Sequence, residues 1–299
     1  MRFLQGMIAL WLAARSPVGQ NQISPQSIAA ARAGVERLIA TSGGQVSVAW
    51  RPLDVQSARS AEQILIHADT RFHAASTMKV PVMIELFRQT AGRRLRLDDT
   101  LVVTNHFHSI VDGSPYALSA TEDSDGDTYK AIGKPMTLRA LCEAMITVSS
   151  NLAANNLIEK LGAKNIQGTV ERLGASGMQV LRGVEDQKAF DRGLNNTTSA
   201  TGLLTLFSAL GRGAVISPAA SADMIAILKR QTLNDAIPAG LPPGTVVAHK
   251  TGSITKIHHD AGIVYGKRPY VLVVLVGGID DEKVSARLIA DITRIVDGL

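Results

Sequence analysis

Cysteine is nearly absent from this 299-residue chain: the single Cys142 excludes an internal disulfide, a four-cysteine zinc site and a CxxC redox pair. Lying on an apolar helical face, Cys142 reads as a small buried hydrophobe. Aromatic residues are scarce, at 4%, and the lysines and arginines behind the +5 net charge are scattered rather than run together. Nucleic acid is therefore not an expected partner, despite a pI near 9.4. No HExxH, Gly-x-Ser-x-Gly or properly spaced P-loop occurs, which argues against a zinc hydrolase, an α/β-hydrolase and a nucleotide-binding enzyme. No metal and no cofactor is expected. Asp123-x-Asp125-x-Asp127 resembles a calcium loop, but Gly126 is misplaced and Lys134 stands at position twelve, so it reads as a solvated acidic loop.

Long apolar runs are also missing, with one exception. Phe3–Ala14 follows Met1-Arg2 and precedes Arg15-Ser16-Pro17. Roughly 12 residues is too short to cross a ~30 Å hydrocarbon core and suits the h-region of a signal peptide. Residues 1–20 are expected to be removed on export to the periplasm or beyond. The mature chain is expected to be soluble, without stable membrane insertion, and monomeric.

What is present fits a folded protein of about two domains: 45% hydrophobic residues, 19% charged and 26 glycines. Ser24-Pro25 opens an amphipathic helix that stops at Gly43-Gly44. Alternation predicts strands over 45–50 and 63–67. Three-to-four spacing predicts helices over 138–148, 151–161, 164–173, 198–210 and 218–230, while 105–136 reads as a long irregular loop. Valine-rich strands follow at 245–249, 261–265 and 270–276, and a helix over 284–296 closes the chain. Strands at both ends imply an α/β domain, 24–70 with 214–299, around an all-helical domain, 71–213.

Three short motifs carry chemistry. Ser76-Thr77-Met78-Lys79 is a Ser-x-x-Lys at the start of a helical run, so Lys79 shares a face with the Ser76 hydroxyl and, once desolvated, can act as its base. Pro81 fits poorly if that helix begins well before Ser76. A second Ser-x-x-Lys, Ser253–Lys256, follows a strand. Ser149-Ser150-Asn151 is the only Ser-x-Asn between two helices, where an N-cap is the simpler reading. Lys250-Thr251-Gly252 ends an apolar strand; the lysine is either a solvated edge residue or a cation for a substrate carboxylate.

In this order the motifs resemble the class A β-lactamase and penicillin-binding-protein superfamily, over nearly everything from Ser24 to Val296. The resemblance implies a mixed antiparallel sheet flanked by helices with an inserted all-helical domain. It implies a bacterial serine β-lactamase that hydrolyses penicillins or cephalosporins through a Ser76 acyl-enzyme. The alternatives are a D,D-peptidase acting on cell-wall peptides, or a protein that binds penicillin without turnover. It further implies Lys79 as base partner and Ser149 as proton donor to the leaving nitrogen. Asn151, Lys250, Thr251 and Ser253 would bind substrate, with the Ser76 and Ser253 N–H groups as oxyanion hole. Ser150 stands where class A enzymes usually carry Asp, and their Glu-Pro-x-Leu-Asn run is replaced by Arg182…Glu185…Asp191…Leu194-Asn195. Either Glu185 or Asp191 could activate the deacylating water. Glu185 is preferred, because Arg182 close by is expected to anchor the loop and depress the glutamate's pKa.

Overall fold

Tyr270–Gly277 is built almost wholly from valine and leucine, and all eight of its residues are buried. A strand buried on both faces needs a layer on each side. Val271, Val273 and Leu275 enter one hydrophobic core with the helices of the central segment. Leu272, Val274 and Val276 enter a second, with Val48, Trp50, Ile289 and Ile292. The two-residue period of the strand divides its side chains between the two layers.

The computed structural model describes residues 23–53 and 62–299; the expected signal peptide lies outside them. Helix α1 (Pro25–Thr41) precedes strands β1 (Gln45–Pro52) and β2 (Ile64–Ile66). Strand β3 (Phe72–His73) leads through a 3-10 turn, Ala75–Met78, into α2 (Lys79–Ala91). Short elements follow: β4 (Thr100–Val102), β5 (Phe107–His108), β6 (Pro115–Tyr116), α3 (Gly126–Lys130) and β7 (Pro135–Thr137). Helices α4 (Leu138–Thr147), α5 (Asn151–Leu161), α6 (Ala163–Arg172) and α7 (Gln187–Asp191) lead to β8 (Thr197–Thr198), α8 (Ala200–Gly211) and α9 (Pro218–Leu228). Strands β9 (Val246–Ile254), β10 (Ile257–Tyr265) and β11 (Tyr270–Gly277) and helix α10 (Glu282–Asp297) complete the chain. The main sheet runs β2-β1-β11-β10-β9, every neighbour antiparallel, with β9 at one edge. No described helix is long and apolar enough to cross a membrane.

Serine or threonine caps five helices, α1 and α5 as expected. Ser24, Thr137, Ser150, Ser199 and Ser217 each accept a hydrogen bond from an N–H of the first turn. Three expectations change. First, α2 begins at Lys79, and Ser76 sits in the preceding 3-10 turn. Pro81 thus falls in the first helical turn, where its missing N–H would have had no partner inside the helix. Second, β9 does not stop at His249 but runs on through Lys250-Thr251-Gly252 to Ile254. The second Ser-x-x-Lys is therefore a strand end and a hairpin turn, with Lys256 at φ +60°. Third, 105–136 is not wholly irregular: β5 pairs with β6, β7 pairs with β4, and α3 lies between.

Below the Lys79 end, α2 is tied to α6 by Glu85, whose side chain is fully buried. Its carboxylate accepts from Arg88 at 2.6 Å, Gln89 at 2.7 Å and Thr169 at 2.5 Å. Burial alone would raise its pKa; the donors from Arg88, Thr169 and Gln89 outweigh burial and keep it ionised. Glu85→Ala leaves those donors unpaired and should cost about 3 kcal/mol in urea unfolding. A cost under about 1 kcal/mol would mean that the helices hold together without this carboxylate.

Candidate active site

Ser76 and Lys79 are three residues apart at a helix start, and Lys79 Nζ lies 3.0 Å from Ser76 Oγ. The amine is wholly buried. It also donates to the Ser149 carbonyl at 2.6 Å and to Asn151 Oδ1 at 2.7 Å, and it reaches Ser149 Oγ at 3.2 Å. Four oxygens surround a nitrogen that carries three hydrogens at most. In the neutral amine the free lone pair is available to accept the Ser76 hydroxyl proton. Burial lowers the pKa of Lys79 to about 7, with the carboxylates of Asp123 and Glu185 opposing. Near neutral pH the group is divided between both forms.

Within Ser149-Ser150-Asn151 the N-cap falls on Ser150, and its neighbours on each side join the lysine network. Ser150 caps α5, accepting from the Ala153 N–H. Ser149, at φ +61°, turns toward the lysines. Asn151 bridges: its Oδ1 accepts from Lys79 and its Nδ2 donates to Glu185 Oε1 at 2.8 Å.

Lys250, also fully buried, donates to Ser149 Oγ at 2.9 Å and to the Thr251 carbonyl at 3.0 Å. It is not a solvated edge-strand residue. Burial holds its pKa well below the ordinary lysine value and the nearby Lys79 lowers it further, while Asp260 pulls upward. Edge strand β9 brings it here, and Gly252 permits the approach. A Cβ on Gly252 would stand 3.0 Å from the Thr77 nitrogen and 3.1 Å from the Ser76 nitrogen, too close for backbone that cannot yield. Ser76, Ser149, Asn151, Thr251 and Ser253 line one cleft of about 600 Å³.

Glu185 reaches this network from a loop clamped to α5. Asn155 accepts from the Val184 N–H at 2.7 Å and donates to the Val184 carbonyl at 3.0 Å. Arg182 anchors the loop as expected, but its expected effect on Glu185 is overturned. Its guanidinium points back along the loop, to the carbonyls of Leu194 and Gly183 and to Asn195 Oδ1. The pKa of Glu185 is raised, not depressed: burial pushes it up, and Asp123 and Glu122 add to that against the hydrogen bond from Asn151. Asp191 lies elsewhere, exposed on α7 and accepting from Gln187 at 2.7 Å.

The acidic run is not a solvated loop: Asp125 is buried and Asp123 half-buried. The Asp123 carboxylate accepts from the Asn151 and Leu152 N–H groups at the start of α5. Asp125 caps α3 and Asp127 pairs with Lys130. Among the described residues no group of His, Cys, Asp and Glu is placed to hold a metal ion.

A model of the beta-lactamase enzyme family matches residues 30–297, and the chain belongs to that family. A beta-lactamase of Citrobacter koseri is 26% identical over 253 residues, 84% of this chain and 79% of its own. The crystal structure of a beta-lactamase from Sphaerobacter thermophilus superposes with a TM-score of 0.75 at 25% identity, covering 92% of this chain and 97% of that one. PBP-A superposes with a TM-score of 0.74 at 26% identity, covering 89% and 94%. A mutant of PBP-A has been solved as an acyl-enzyme complex with penicillin G.

Gly252→Ala should destabilise the protein by about 1–3 kcal/mol in urea unfolding, because β9 must back away from the Ser76 turn. Unchanged stability would mean that the turn or strand gives way freely.

Proposed function

We propose that this protein is an exported serine β-lactamase of the class A type, monomeric and free of cofactor. The observation that carries this reading is one hydrogen-bonded chain: Ser76 Oγ to Lys79, Lys79 to Asn151, and Asn151 to a half-buried carboxylate, Glu185. A nucleophile, its base and a second base for water stand in one network.

In acylation, neutral Lys79 takes the Ser76 proton while Oγ attacks the lactam carbonyl carbon. The Ser76 and Ser253 N–H groups receive the oxyanion. The C–N bond then breaks, and Ser149 passes a proton to the departing nitrogen, replaced from Lys79 or Lys250 across the contacts each makes to Ser149 Oγ. Lys250, with Thr251, holds the substrate carboxylate, whose charge restores the cation that burial disfavours. In deacylation Glu185 removes a proton from water, the water oxygen attacks the ester carbon, and Ser76 Oγ leaves, recovering the proton that Glu185 took up. Burial that raises the pKa of Glu185 also strengthens it as a base.

A D,D-peptidase is the second reading, favoured by the likeness to PBP-A. It requires acylation at the same serine and slow release of the acyl group.

Purified protein should turn over a chromogenic cephalosporin, and Ser76→Ala should form no adduct in intact-protein mass spectrometry. Glu185→Gln should acylate in a burst and then stall, with turnover at least 100-fold lower, while Asp191→Asn should turn over normally. A wild-type protein that itself stalls as acyl-enzyme and cleaves D-alanyl peptides would favour the peptidase. An adduct on Ser253 would overturn the site.

Because acylation needs the neutral amine, kcat/KM should rise with pH through about 7, the value for Lys79, and fall tenfold per unit below it. A flat profile between pH 5.5 and 7 would remove Lys79 as the base.

A further inference from the structure

The turn that carries Ser76 is held by a side chain outside the three motifs. Ala75 stands at φ +44°, a left-handed conformation that residues other than glycine adopt at a cost. Its N–H donates to Nδ1 of His73 at 3.1 Å. That contact needs a lone pair on Nδ1, hence a neutral ring with its proton on Nε2.

The main chain of His73 is held from the other side. His259 on β10 donates from Nε2 to the His73 carbonyl at 3.0 Å, and its Nδ1 accepts from the Val276 N–H at 3.2 Å. The sheet thus grips the residue whose ring grips the turn. The groups facing the His73 ring disfavour a proton on it: burial and the Arg182 cation lower its pKa. Phe190 of α7 meets it edge-on, at 6.0 Å between centroids. From β10, His259 is pushed down to about 4, chiefly by burial, with His258 as a further repelling neighbour. Threonines 197 and 198 on the paired strand β8 carry no charge.

We infer that His73 is a positioning residue: its neutral imidazole, accepting the Ala75 N–H, holds the left-handed turn that aims Ser76 Oγ at Lys79. The inference rests on the reading of Ser76 as nucleophile. A proton on Nδ1 would face the Ala75 N–H donor to donor, and the turn would relax. Acylation then requires two neutral groups, Lys79 and His73.

The test is the acylation rate with a slowly deacylating β-lactam, followed by rapid-quench mass spectrometry from pH 4.5 to 8 in the wild type, His73→Asn and His73→Leu. Asparagine offers an acceptor near the Nδ1 position and does not titrate. At pH 7.5 His73→Leu should acylate at least tenfold more slowly with deacylation within twofold, and His73→Asn should recover to within threefold. Toward the acid end of this range the logarithm of the wild-type rate should steepen from a slope of one toward two, while that of His73→Asn stays at one. Equal acylation by His73→Leu, or superimposable acid limbs, would overturn the inference. ¹⁵N NMR of the wild-type ring at pH 7.5 decides without variants or substrate: an unprotonated, hydrogen-bonded Nδ1 is expected, and an Nδ1–H tautomer sinks the proposal. A wild type that forms no adduct at all would instead refute the nucleophile assignment, while the ring spectrum would still judge the His73 contact.

Discussion

Two lysine amines buried beside one another, Lys79 and Lys250, dictate what surrounds them. Both contact Ser149 Oγ. Two unit charges about 4 Å apart repel by about 4 kcal/mol at an effective dielectric near 20, and each also loses its hydration. The surroundings answer with acceptors and with negative charge from separate parts of the chain: Asp123 from the long connection, Glu185 from the clamped loop, Asp260 from β10. The carbonyls of Ser149 and Thr251 accept directly. Both amines are held below the ordinary lysine range, and an anion entering beside them would restore a full positive charge.

Three residues around this centre, Ala75, Ser149 and Glu185, take left-handed backbone conformations without being glycine. Each costs on the order of 1–3 kcal/mol and persists only where its surroundings over-determine it. Each has its restraint: His73 for Ala75, the Lys79 amine on the carbonyl of Ser149, and Asn151 with the Asn155 clamp for Glu185. Strain is concentrated where side chains must point into one cleft from a turn, a helix start and a loop.

The parts of this arrangement legible in the sequence are those written in local pattern. A valine-rich run marked β11, and Ser24-Pro25 before apolar periodicity marked the start of α1. Ser76, Lys79, Asn151 and Lys250 could be singled out because each motif occupies a few consecutive residues. Other features depend on partners far along the chain. Strand β9 ran past its expected end because Lys250 and Thr251 look solvated, and they are buried by parts distant in sequence, among them the Ser76 turn and Ser149. Asp123 gave no sign of its target, the first N–H groups of α5, 28 residues on. Arg182 and Glu185 are close in sequence, but the loop sends their side chains in different directions, so proximity alone predicted the wrong sign for the glutamate. Nothing in the sequence marked His73; the left-handed backbone of Ala75 beside it does.

The sheet's connectivity has a kinetic consequence. Its central strand, β11, lies between β10, its close neighbour in sequence, and β1, where Gln45 sits opposite Gly277. The helical segment between them can gather local contacts early, but the β1–β11 ladder closes a loop of more than 200 residues. Such a closure comes late and slows folding, because chain entropy must be lost before distant contacts compensate for it. Until β11 docks, both hydrophobic layers lack their common wall, so the half-folded chain carries unpaired strand edges and exposed valine. The molecule is most vulnerable to aggregation just before its last strand arrives.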